Sequence, residues 1–196
     1  MPFHLIYGWA NNRPTKEGER KKVFFSFPIH KTNDIYLSST PPSMNWTNLM
    51  LTVLLGLSVL VAYGLFLPQN PYAWANIKEP RRRYWIIMSI VLSALCYIIV
   101  WIQQQMHTTA NVLFTVGNVI FLVGALLWPL ALQFFPRQPY LVISPLCLTS
   151  FGAFLMWISQ CIEGDVLGIV LLGYLLFHVV VVDNLYWSSS YLSLFA

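Results

Sequence analysis

From residue 46 onward the chain is a series of five apolar stretches, separated by short segments in which prolines and charged side chains collect. A hydrocarbon layer of about 30 Å takes roughly 20 helical residues to cross. The stretches at 47–66, 84–101, 111–134, 140–159 and 166–187 all come close to that length. Pro68 and Pro71 end the first and Pro136 ends the third, because proline lacks a backbone donor and biases the preceding residue away from helix. The runs are continuous and do not alternate, which argues against a β-barrel. Their connections are short, which favours antiparallel neighbours. The pattern predicts an all-α integral membrane bundle of five transmembrane helices over 47–187, with a polar N-terminal extension at 1–46 and a short C-terminal tail at 188–196.

Residues 1–46 depart from this pattern. They are mixed polar and aromatic, with a charge-rich stretch at 13–22 and a turn-prone Ser38-Ser39-Thr40-Pro41-Pro42-Ser43 linker. A flexible or surface-lying extension is expected, with Met44 as an alternative start. A secretory signal is not expected, since the basic run follows the first short apolar run instead of preceding it. Asn45-Trp46-Thr47 has the form of a glycosylation acceptor, but it abuts the first crossing.

Composition sharpens the class. Hydrophobic residues make up 57% of the chain and charged residues 9%, whereas a typical soluble domain is about one quarter charged. That much apolar surface requires lipid, so the bilayer is the expected partner. The net charge is +4, and the basic residues are divided mainly between the extension and the 68–83 loop, with no basic patch interleaved with aromatics, so no nucleic-acid partner is expected. Trp46, Tyr72, Trp74, Tyr84, Trp101, Tyr140, Trp157 and Trp187 lie near the predicted boundaries, where they are expected to act as interfacial anchors. Lys78, Arg81, Arg82, Arg83 and Arg137 fall on the side shared with the C-terminus, while Glu163, Asp165 and, within about 20 residues of a crossing, Lys31 fall on the other; Arg13, Lys16, Arg20, Lys21 and Lys22 lie farther out in the tail and argue the opposite if counted. The positive-inside rule then predicts an outside or lumenal N-terminus and a cytoplasmic C-terminus. Arg81, Arg82 and Arg83 are expected to meet anionic headgroups, at about 1 kcal/mol each.

Candidate chemistry is sparse. His178 and Asp183 are the ionisable side chains within predicted crossings, and such groups mark ion sites, proton relays or ligand contacts. Five residues at about 100° each set them some 140° apart on an α-helix, so they are not expected to share a site. The structural alternative is a neutral His178 bonded to a neighbouring helix, with Asp183 reaching the headgroups beside Asn184. Asn111, Thr115 and Asn118 fall on one face of the third crossing with Leu122, Ala125 and Pro129, as packing glue or as the wall of a cavity. Thr52 with Gly56, Ser58 with Ala62, and Ser89 with Ser93 are further small-residue pairs suited to packing. Pro145 predicts a kink in the fourth crossing. Cys96, Cys147 and Cys161 are scattered and the histidines are unpaired, so no metal site or cofactor is expected.

Leu126-Leu127-Trp128-Pro129 followed by Phe134-Phe135 faintly resembles a segment of the translocator-protein, or tryptophan-rich sensory, family. The Pro- and Trp-rich first loop of that family is replaced here by Leu67-Pro68-Gln69-Asn70-Pro71-Tyr72 and a basic run. The leading functional expectation is a non-enzymatic scaffold or subunit of a membrane assembly. The alternative is a small transporter, channel or ligand-binding protein using His178, Asp183 and the Asn111/Thr115/Asn118 face. An intramembrane enzyme ranks last, because a lone His and a misaligned Asp make no acid/base pair.

Overall fold

The computed structural model describes residues 46–106 and 111–196. The N-terminal extension up to residue 45, with its basic run, and His107 in the loop after the second crossing lie outside the described residues. Five helical segments are long and apolar enough to cross a membrane. The helices are α1 Trp46–Phe66, α2 Pro80–Met106, α3 Val112–Phe134, α4 Pro139–Glu163 and α5 Val166–Phe177. The last crossing continues from α5 without a break as a π-helical segment, His178–Trp187, and then as α6, Ser188–Leu192.

Several helices outrun their apolar stretches. The second begins at Pro80 instead of residue 84 and ends at Met106 instead of 101, because proline suits the first turn of a helix and Gln103, Gln104 and Gln105 extend it in polar surroundings. The fourth runs to Glu163 and stops at Gly164, whose φ of 72° is the left-handed conformation that closes a helix C-terminus. Beyond Trp187 the chain remains helical, and Tyr191 of α6 is fully buried.

Packing centres on the antiparallel α3/α4 pair, with α1 against α3, α5 against α4, and α2 against α5 and the π segment. The α3/α4 pair is close because Gly117 lies against the Gly152 backbone and Gly124 against the Pro145 carbonyl and the Thr149 backbone and hydroxyl, with no room for a Cβ at either glycine. Close backbone approach at small residues is how helices associate in lipid. The expected small-residue pairs contribute unevenly. Thr52, Ala62 and Ser93 are buried, whereas Ser58 is exposed and a Cβ added to Gly56 would have no non-local atom within 4 Å.

Two apolar cores fill the bundle. One, nearer the 67–79 loop, gathers Ile77, Ile86, Trp128, Leu132, Val142, Leu146, Trp187 and Tyr191. The other gathers Val100, Phe114, Ala153, Met156, Leu172, Leu175 and Val179. Trp187 is not an interfacial anchor: it is 4% exposed, its ring stacks on Tyr191 and meets Trp128 edge-on, and its Nε1 donates to the Ala73 carbonyl at 2.9 Å. Trp157 likewise donates to the Ile169 carbonyl. Trp46 and Tyr140 are exposed, in keeping with an interfacial position.

Candidate functional site

Three polar clusters interrupt the apolar interior, each built from side chains on different helices. The first lies at the junction of α5 and the π segment. His178 is buried, with its Nδ1 2.8 Å from Ser89 Oγ on α2. Ser89 Oγ is also 3.2 Å from the Tyr174 hydroxyl. The Nε2 of His178 lies 3.6 Å from Asp183 Oδ2. The expected 140° separation is thus corrected. In the π register hydrogen bonds join i to i+5, so the sixth residue returns to the face of the first and His178 meets Asp183. The geometric objection to an interacting pair disappears with the α register on which it depended.

Asn184 turns into the bundle. Its Nδ2 faces Ser150 Oγ at 2.6 Å and the Leu146 and Val179 carbonyls at 2.9 Å, fastening the π segment to α4 just past Pro145. Ser150 also donates to the Val179 carbonyl, and Thr149 donates back to the Pro145 carbonyl at 2.8 Å.

The second cluster joins three helices. Tyr97 on α2 donates to Asn118 Oδ1 at 2.6 Å, and Asn118 Nδ2 donates to Thr52 Oγ1 on α1 at 2.8 Å. Asn118 is fully buried. The third cluster lies at the other end of α2. Gln104 Nε2 donates to Gln160 Oε1 at 3.2 Å and Glu163 Oε2 at 3.1 Å, Asn111 donates to Glu163 Oε1 at 2.6 Å, and Gln103 donates to Asp165 Oδ2 at 2.8 Å.

The five sequence candidates therefore do not share one site. Asn111 caps α3 by accepting from the Phe114 N–H and reaches Glu163. Thr115 donates to the carbonyl of Asn111 on its own helix. Asn118 belongs to the second cluster. Ser89 and Tyr97 are eight residues apart on α2, about 12 Å along the axis, so His178 and Asn118 occupy different levels. Sequence reasoning passed over Tyr97, Tyr174, Gln104 and Gln160. A phenol within an apolar run was the available signal, since a buried hydroxyl requires a partner.

Among the described residues no three His, Cys, Asp or Glu side chains converge as metal ligands. An open apolar groove of about 580 Å³ lies between α4 and the last crossing, along Phe154, Trp157, Gly173 and Phe177. Comparisons with protein-family models, curated proteins and solved structures return no match.

Proposed function

We propose that this multipass membrane protein is a non-enzymatic scaffold or subunit of a larger membrane assembly. The observation that carries this reading is Asn118, whose amide oxygen and nitrogen are both engaged in joining α1, α2 and α3. The polar groups of that cluster serve interhelical cohesion, which in lipid depends on such bonds and on close packing. Along α1 most of the exposed side chains described are apolar, Ser58 being an exception, and a Cβ placed on Gly56 or Gly64 would meet no non-local atom within 4 Å. Other membrane subunits have room to approach there. Native electrophoresis and cross-linking in the source membrane test this: a complex of fixed stoichiometry is expected, and a chain that stays monomeric overturns the reading.

The approach of His178 to Asp183 favours a second reading, a small transporter, channel or ligand-binding protein with an intramembrane site there. Flux in proteoliposomes that is lost in both His178→Ala and Asp183→Asn supports it, whereas flux unchanged from the original protein in both variants removes these residues from any mechanism.

For orientation, the Lys and Arg residues at 78–83 and 137 support an N-terminus outside or lumenal and a C-terminus in the cytoplasm. Arg81, Arg82 and Arg83 occupy the first turn of α2, where cations oppose the helix dipole. Helix stability therefore gives no reason for them, and anionic headgroups do. Arg82 pairs with Glu79 at 2.6 Å, and Arg83 donates to the Ile77 carbonyl at 2.7 Å.

A further inference from the structure

We propose that His178 and Asp183 form a proton-binding site within the membrane-spanning bundle, the two side chains taking up one proton as a single unit. This goes beyond the scaffold reading and does not depend on it. The site has a built geometry. His178 is 4% exposed, Ser89 Oγ holds its Nδ1 at 2.8 Å, and its Nε2 points at Asp183 Oδ2 across 3.6 Å. When Ser89 donates to Nδ1, the ring proton sits on Nε2 and faces the carboxylate.

Charge counting gives the stoichiometry. A neutral imidazole beside a carboxylate carries one negative charge. One added proton makes the pair neutral as a whole, either as imidazolium with carboxylate or as imidazole with carboxylic acid. Titrations of groups this close belong to the pair and not to either member.

Among the described residues, the groups that face the pair from the neighbouring helices are phenols and a thiol. Tyr174 on α5 faces the pair through Ser89, and Tyr63 on α1 lies within electrostatic reach of Asp183. From α4 Cys147 contacts Asn184, the residue next to Asp183. On α6 Tyr191 stacks on Trp187. On α2 the arginines lie at the first turn, with Arg82 bonded to Glu79 and next to Tyr186 of the π segment. The pair also requires the π register, since an α-helix carries Asp183 to another face.

The test uses the full chain in lipid nanodiscs, with nitrogen-labelled histidine followed by NMR and the carboxyl stretch of Asp183 followed by infrared difference spectroscopy as pH is varied. Signals are assigned by their loss in His178→Gln and Asp183→Asn. The expected result is one shared midpoint for both groups, and loss of that transition from the His178 signal in Asp183→Asn. Separate midpoints in the unaltered protein overturn the proposal, as does a His178 titration that Asp183→Asn leaves unchanged. The unaltered chain alone decides the first point should a variant fail to fold.

Discussion

Gly117 on α3 and Gly152 on α4 each occupy the space that the other's side chain would need. A Cβ on Gly117 would stand 2.8 Å from the Gly152 carbonyl oxygen, and one on Gly152 would stand 2.6 Å from that of Gly117. The obstacle in both directions is backbone, which cannot rotate aside. Gly117→Ala and Gly152→Ala are each expected to destabilise the bundle by about 1–3 kcal/mol, the usual range for overpacking. Their sum should exceed the double variant, because one displacement of α3 from α4 accommodates both methyl groups. Gly56→Ala, with no neighbour to meet, serves as the control and should change stability by less than about 0.5 kcal/mol. Unfolding in mixed detergent micelles measures all four.

Asn118→Leu should cost more than either Tyr97→Phe or Thr52→Val. The single hydrogen-bond deletions are expected to cost about 0.6 kcal/mol on average and up to about 1.7 kcal/mol in a membrane bundle. Loss of Asn118 leaves the Tyr97 and Thr52 hydroxyls without their partner together. An Asn118→Leu variant as stable as Tyr97→Phe would remove the three-helix role assigned to this amide.

Removing the Asn184 side chain should loosen the π segment. Asn184→Ala eliminates the contacts to Leu146, Ser150 and Val179, so amide hydrogen exchange across 179–187 should speed up while α3 is little affected. Unchanged exchange would mean that apolar packing alone holds this segment on α4.

Arg83 offers a way to separate charge from geometry. Its Nε donates to the Ile77 carbonyl and its guanidinium lies 5.4 Å from the Trp74 ring centroid, fastening the loop before α2. Arg83→Lys keeps the charge but lacks the planar donor fork. Tryptic cleavage after the exposed Lys78 should therefore accelerate in Arg83→Lys as well as in Arg83→Ala. If the lysine variant resists cleavage like the original, charge alone organises the loop.

Sidedness can be read from the native cysteines. Cys161 is exposed near the end of α4, on the side assigned to the outside or lumen. A membrane-impermeant maleimide should label it from that side in intact cells or right-side-out vesicles. Labelling only after the cytoplasmic face is opened would reverse the topology.

The sequence by itself determined that five helices cross a membrane, because the length of an apolar run and the cost of unpaired backbone in lipid are local quantities. It also identified the buried face of α3, since the 3.6-residue period aligns Asn118 with Leu122, Ala125 and Pro129 wherever that helix is placed. Helix ends were less legible, as Gln103, Gln104 and Glu163 are helical and bond to groups distant in the chain. The candidate sites were legible only as single residues. Which hydroxyl reaches Asn118, and that Ser89 reaches His178, depends on helices distant in the chain. The meeting of His178 with Asp183 was decided by tertiary structure alone, because an α period applied to the sequence separates them and only the π register that the packed bundle adopts returns both to one face.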